Sequence, residues 1–563
     1  VRFFEDAKQV LELMLTAQTN SNEFPGFEHI MSASTRICRA IGDGFLPYLQ
    51  YVIPGLLAKV SSETGASIVD VVGDEDKCDT DDADSGMSSV ALDVKGMGKK
   101  RITLNTNDVL EKEIAIRALY EYFDVLEQHM GPYAEEVAVA TCPLIVYKYS
   151  PQIRDVAALL APKIVNALGG AHGNAQNVIN STGYMIPNLL VQLQKETNMD
   201  VLCSTSEAVK ETMRLLCESG GKDENGKFHP AKYLLPMAMS SKVTEVVCDA
   251  ANKSAIRRNE AMKDAKEKGF DEEDYENLEE EFESEEELMT NFVDTCGYIL
   301  KMHKSDFLPL FDAYPAPVFI PLLQPHNPTT LRHNAMCIFI DVIEHCGTGA
   351  HKYLDMMLPA AMQYATDSES YMRQAAVYGL RIASEQAQTQ FSQYVMPVLG
   401  ILATLVQAED SHNADNACAT ENAVAAIGTI CKFHGDAIHV LHQMLPLWMA
   451  NLPLQEDEEC AQMTATHLCE FLQTRTHMLL GAQFEHASIA VSAMTQILVG
   501  CNGGGEDSIE LATPQTKQNM QSLLAQMATS LPSDAKNAAW QALNGAQKHV
   551  LQSVLPHGVQ FMA

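Results

Sequence analysis

Asp341 and Glu344 stand three residues apart, and a helix through them puts both carboxylates on one face. Paired carboxylates can perform general acid–base work or receive cationic side chains. No nucleophile–base pair and no metal-ligand set accompanies them, so the second use is favoured. Other patterns are weaker. Gly96, Gly98 and Lys99 share a few letters with a phosphate-binding loop, but the rest of that motif and a preceding strand are missing. His439 and His442 lie one helical turn apart with no carboxylate or Cys to complete a ligand set, which reads as helix surface. Gly503 to Gly505 reads as a helix terminator. The sequence therefore predicts a binding protein that is not an enzyme, with no cofactor and no metal.

Charge points the same way. The chain carries 73 acidic against 39 basic residues, a formal charge of −34. Nucleic acid and anionic membranes are repelled by such a field, and basic protein surfaces are attracted. The acids are densest in DEEDYENLEEEFESEEE, Asp271 to Glu287, with 12 acids in 17 residues. Asp271, Glu272, Glu273, Asp274, Glu279, Glu280 and Glu281, with Asp341, Glu344 and Glu421, form the candidate set for a basic partner. Like charges at helical spacing give this block little helicity of its own, yet Tyr275, Leu278 and Phe282 could dock it. The preceding KSAIRRNEAMKDAKEKG is basic, so an internal charge-paired hairpin is the competing reading. Asp367 and Arg373 straddle a turn, and such a pair can bridge stacked units as a ladder of charged hydrogen bonds. Arg154 and Arg332 occupy the matching places in their own turns. Fourteen Cys, none in a CxxC pair, fall mostly within apolar helical patterns and predict reduced, buried thiols.

The elements that position these residues repeat. FIPLLQPHNPTTLRHNAMCIFIDVIEH, MLPAAMQYATDSESYMRQAAVYGLRIA and VMPVLGILATLVQAEDSHNADNACATENAVAAIGTI share one plan: a proline-marked apolar helix, a polar turn, and a second helix rich in Ala. The step from Pro321 to Pro359, Pro397 and Pro446 is 38, 38 and 49 residues. A period of about 40 with two helices per unit is the signature of HEAT or armadillo arrays. In the middle unit Met372, Ala375, Ala376, Gly379, Leu380 and Ala383 form one apolar face. Two-helix units can be followed along 1–563, about ten in all, clearest over 321–475. The fold class is all-α, an α-α superhelix. Two segments interrupt it. Residues 61–107 read as an acidic, flexible insertion, and 271–287 as an acidic segment in an unusually long repeat. No apolar run reaches the roughly 20 residues of a membrane helix. Val1 is not an initiator Met, and the chain reads as part of a longer protein.

MCIFIDVIEHC (336–346), RQAAVYGL (373–380), ATENAVAAIGTICKF (419–433) and LPLWMANLPLQEDEE (445–459) resemble the importin-β superfamily, most closely its importin-β3 or importin-5 branch. FEDAKQVLELMLTAQT (4–19) and the acidic block have counterparts in the same order. The resemblance implies the C-terminal half of a HEAT-repeat receptor. It implies a monomer that shuttles between cytoplasm and nucleus, carries basic cargo bearing nuclear localisation signals, and binds Ran-GTP and FG-repeat nucleoporins. Second helices would line its inner face. The competing expectation is a different HEAT scaffold, such as a phosphatase regulatory subunit or an assembly platform.

Overall fold

A computed structural model of the chain describes residues 2–19, 26–64, 66–70, 87–94, 98–169, 175–221, 229–268, 272–500, 509–555 and 561. Two compact units divide it, Val1–Met302 and His303–Ala563. In both, helices pair and the pairs stack, as the 3.6-residue apolar pattern requires.

In the first unit α1 (Arg2–Thr19) pairs with α2 (Phe27–Ile41), and α3 (Leu49–Ser61) with α4 (Thr106–Leu126). α5 (Gly131–Thr141) then pairs with α6 (Pro151–Gly169), and α7 (Ala175–Lys195) with α8 (Met199–Glu218). Second helices α2, α4, α6 and α8 pack successively against one another, and first helices α3, α5 and α7 form the other layer. Phe45 and Tyr122 stack 5.1 Å apart between these layers, and the Tyr122 hydroxyl meets Ser34 Oγ at 2.7 Å. α9 (Met237–Lys268) and α10 (Glu272–His303) are 32 residues each. α9 starts at Met237, because Pro230 and Pro236 hold the approach out of the helix.

The 61–107 insertion departs from expectation. It contains three strands, β1 (Ala66–Asp70), β2 (Met87–Val94) and β3 (Gly98–Asn105), in an antiparallel sheet of order β1-β3-β2. Val90 is paired with Ile102 and Leu92 with Lys100. The sequence signal was present. Val90, Leu92 and Val94 alternate, as do Ile102 and Leu104, at the strand period of two. The acidic and basic runs on either side masked it. Where the insertion begins, buried Lys112 of α4 caps the end of α3. Its ammonium donates to Val60 O at 2.6 Å, Ser62 O at 2.8 Å and Lys59 O at 3.2 Å, the last carbonyls of α3. A cation at a helix C-terminus satisfies carbonyls that have no intrahelical donor and complements the dipole. Burial pushes the Lys112 ammonium below its ordinary pKa, with Asp108 opposing.

In the second unit the first helix of the 321 repeat is fragmented into α11 (Leu308–Ala313), α12 (Pro315–Phe319) and a 3₁₀ turn at Pro321–Leu323. Pro309, Pro315, Pro317 and Pro321 each remove a backbone donor, which accounts for the breaks. α13 (Thr329–His345) follows, then α14 (Leu354–Tyr364) with α15 (Ser370–Gln386). α16 (Gln388–Phe391), a 3₁₀ turn and α17 (Val395–Val406) precede α18 (Ala414–His434). That broken segment, Thr389–Val406, is apolar over 18 residues at mean hydropathy 1.2. α19 (Leu441–Met449) and α20 (Glu458–Thr474) follow, so His439 lies before α19 and only His442 on it. α21 (Thr476–Leu480), α22 (Ala487–Val499), α23 (Pro514–Ser530), α24 (Ser533–Ala542) and α25 (Gly545–Val554) complete the unit. α24 and α25 are parted at Leu543, and Asn544 caps α25 with Gln547 in a reciprocal capping box. Gly96 and Gly503 to Gly505 lie outside the described residues.

Second helices again stack on one another, in the order α13, α15, α18, α20 and α23. Small residues set their spacing. A Cβ at Gly379 would come within 2.9 Å of Ile340, and one at Gly428 within 2.7 Å of the Trp448 indole nitrogen. Trp448 is fully buried, edge-on to Phe471 at 5.3 Å, and its N–H donates to Val424 O at 3.0 Å. Trp448→Ala should destabilise this unit by about 3–5 kcal/mol, read as a lowered urea midpoint in circular dichroism. An unchanged midpoint would show that the α18–α19–α20 junction does not depend on this ring.

Candidate protein-binding face

The turns between paired helices hold a ladder of arginines. Arg154, Arg332 and Arg373 are each the fourth residue of a second helix, and each reaches into the next repeat. Arg154 Nε and Nη2 form a fork on Glu196 at 2.8 and 3.2 Å, while Nη1 donates to Tyr147 O at 3.0 Å. Arg332 Nη1 meets Asp367 Oδ2 at 2.8 Å, and its guanidinium lies 4.7 Å from the Tyr364 ring centroid. Arg373 donates to the backbone carbonyls of Asp367 and Ser368, both at 2.7 Å, and reaches Asn416 Oδ1. Asn416 in turn donates to Asp410 at 3.1 Å. Asp367 and Arg373 thus meet within one repeat through the backbone, and the bridges between repeats run from Arg332 and Arg373.

Burial works against ionisation of Asp367, but Arg332, the Glu369 amide and the Ser368 hydroxyl outweigh it and hold the carboxyl below the usual range. Glu196 is held low in the same way, by Arg154 and the amides of Asn198 and Thr197 against burial. A depressed folded pKa contributes stability that is present above the unfolded value and lost as pH falls through the folded one. Asp367→Asn should therefore unfold less steeply than wild type below about pH 4, followed by acid titration of the far-UV signal. Arg154→Met strands the nearly buried Glu196 carboxylate and should cost about 3 kcal/mol at neutral pH, measured by urea unfolding. Equal stability to wild type would remove Arg154 from the set of bonds that join repeats.

The candidate acids are distributed unevenly. Asp271 lies outside the described residues, and Glu272 and Glu273 begin α10. Asp274, Glu279, Glu280 and Glu281 are exposed along the same helix. Further on, α10 is zipped to α9. Glu285 takes Arg257 at 2.5 and 2.8 Å and Ser254 Oγ at 2.5 Å, and Glu286 takes Arg258 at 3.1 Å. Arg258 also lies over the Phe282 ring at 4.3 Å, and Leu278 is buried. The block is therefore helical despite its charge, because basic α9 and an apolar stripe supply what the acids lack. Asp274 and Glu279 to Glu281 remain at the surface. Glu421 is used inside the fold, where its carboxylate accepts the amides of Gln455 at 2.6 Å and Glu456 at 2.9 Å at the approach to α20. Burial raises its carboxyl, with those amides opposing.

Asp341 and Glu344 lie on α13 beside a groove of about 370 Å³ across α13, α15, α18 and the start of α20. His333, Asp341, Tyr378, Arg381, Asp457 and Glu459 are in its wall. Tyr378 donates to Glu344 Oε2 at 3.2 Å. Burial, followed by the Glu344 charge, raises the Tyr378 pKa and keeps the phenol protonated. His345 brings a third donor to Asp341 and Glu344, with the three ligand atoms within 4.8 Å of one another. Arg381 is the element that periodicity did not disclose. It sits one residue beyond Leu380 of the apolar face, yet it is only 3% exposed. No sequence signal marks it, because its burial is produced by α18 and α20 closing over α15.

A family profile described as Importin repeat 6 matches residues 232–324. A probable importin-5 homolog of Dictyostelium discoideum is 21% identical over 540 residues, covering 93% of this chain and 46% of that protein. Importin subunit beta-3 of Saccharomyces cerevisiae is 21% identical over 501 residues, covering 88% of this chain and 43% of that one. The chain is thus similar in sequence to importins of the importin-5 and importin-β3 type. It spans less than half the length of the relatives it matches. The crystal structure of Kap121p bound to RanGTP superposes with a TM-score of 0.69 at 18% identity, over 98% of this chain and 46% of that one. Kap121p bound to Nup53p gives 0.68 at 19%, and Kap121p bound to Pho4p gives 0.66 at 19%. Those likenesses show that the chain shares the helical-repeat fold of Kap121p.

Proposed function

We propose that this chain is the macromolecule-binding portion of a nuclear transport receptor that shuttles between cytoplasm and nucleus. In this reading second helices meet basic cargo and first helices meet FG-repeat nucleoporins, with Ran-GTP as the antagonist. The observation that carries it is the acidic wall of Asp341, Asp457 and Glu459 on the second-helix layer, with the exposed acids at the N-terminal end of α10 as a further attractive surface. Such a wall raises the local concentration of Lys- and Arg-rich segments and makes their capture salt-dependent. Kap121p, similar in fold, has been crystallised with RanGTP, Pho4p and Nup53p, which supports the three partner classes.

The first-helix layer has the complementary chemistry. Tyr51 on α3, Val139 on α5 and Tyr184 on α7 are 64%, 68% and 63% exposed. Beside α7 an apolar groove of about 120 Å³ is walled by Ile179, Gly183, Leu216, Tyr233, Leu234 and Pro236. A contiguous apolar patch at a protein surface marks a contact site, and a groove of this kind suits a Phe ring.

Fluorescence anisotropy on the intact chain tests the reading. A Lys/Arg-rich localisation-signal peptide should bind and weaken steeply as salt rises. Glu279→Gln with Glu280→Gln and Glu281→Gln should weaken it about threefold. An FG-repeat peptide should bind with little salt dependence, and Leu234→Asp should abolish that binding alone. Binding of phosphatase catalytic subunits, together with indifference to all these probes, would replace the transport reading with a scaffold reading.

A further inference from the structure

Asp341 and Glu344 do not stand alone on α13. One ligand atom from each of Asp341, Glu344 and His345 lies within 4.8 Å of the other two. The expectation that no metal-ligand set accompanies the acid pair fails at His345. That residue follows Glu344 directly and so reads as facing elsewhere. It is also four residues from Asp341, which puts it one turn along the same face. All three are half-buried. An ion with bonds of about 2.0–2.2 Å brings its ligands to about 3.3 Å from one another, so the three atoms need to close by no more than about 1.5 Å.

The surroundings favour a cation at this point. α13 ends at His345, so both carboxylates lie at the negative end of the helix, where the last carbonyls have no intrahelical donors. Glu344 is held from the neighbouring repeat, its Oε2 accepting from the Tyr378 hydroxyl of α15 at 3.2 Å. Outer hydrogen bonds of this kind orient ligating carboxylates at metal sites. The same face of α13 carries His333, Cys337, Asp341 and His345 at strict four-residue spacing, all of them residue types that bind transition metals. At the far end of that stripe Cys337 Sγ lies 3.7 Å from His333 Nε2, and those two engage one another. The convergent set is at the near end.

The donors select the ion. Calcium takes six to eight oxygens and magnesium a near-ideal octahedron of them. One imidazole with two carboxylates on a rigid helix suits a borderline divalent ion that accepts four ligands. We propose that Asp341, Glu344 and His345 form a site for a zinc-class divalent ion, with three protein ligands from one helix and the fourth position taken by water. Asp341 also lines the groove of about 370 Å³, which gives the ion a path from solvent. The bound charge offsets two carboxylates at the end of α13, and through Glu344 and Tyr378 it ties that end to the next repeat. The site does not rest on the transport reading.

Zinc titration of the whole chain against a chromophoric chelator tests the site. His345→Gln and Asp341→Asn should each weaken uptake of one zinc ion by about a hundredfold, and Tyr378→Phe by about tenfold. Zinc should raise the wild-type melting temperature and leave that of His345→Gln unmoved, and the metal-free melting curves check that the variants fold. The rival outcome is adventitious capture by some of the fourteen Cys. Cobalt(II) in place of zinc separates the two, because a thiolate ligand adds a near-ultraviolet charge-transfer band that nitrogen and oxygen ligands do not give. That band should be absent, and Cys337→Ser should leave zinc affinity unchanged. No zinc uptake by wild type, uptake indifferent to His345→Gln, or a thiolate band that Cys337→Ser removes would each overturn the site.

Discussion

Close approach of successive second helices is the constraint on which this protein rests. A helix pair cannot bury its own apolar face, so each unit depends on its neighbours. The second helices meet at residues too small to keep them apart. Gly379 lies against Ile340 of α13 and a run of buried Ala lines α18, while Gly428 lets the Trp448 ring of the first helix α19 come close. Close packing of this kind brings the inter-helix turns into register, and the arginine ladder is a consequence. Arg154, Arg332 and Arg373 reach acceptors in the next repeat because the helix spacing places those acceptors within one side-chain length.

Much of this was legible in the sequence, for a definite reason. Helical periodicity survives burial, so the helices of the 321–475 region and the Arg positions could be found from spacing alone. What failed was local. The first helix of the 321 repeat broke where four prolines crowd together, although the repeat pattern drew it whole. The three-stranded sheet was missed because its short alternations are flanked by dense charge, which dominates composition. The acidic block was expected to gain little from helicity, and its partner helix supplied the difference through Arg257 and Arg258.

The binding face divides along the same line. Acids are visible as letters, and Asp341 and Glu344 were placed on one helix face. Whether an acid is available is a tertiary property. Glu421 is consumed by two backbone amides, whereas Glu279 to Glu281 remain exposed. Arg381 is the converse case. A single cation in an amphipathic helix reads as solvent-facing, and only the stacking of α18 and α20 over α15 places it in a groove wall.

Lys112 bears on how such a chain can change over time. The carbonyls that end α3 accept from Lys112, a residue of the helical array on α4. A following segment of another length or composition could therefore be exchanged at that junction without reopening the helix end, because one ammonium on α4 already holds it closed.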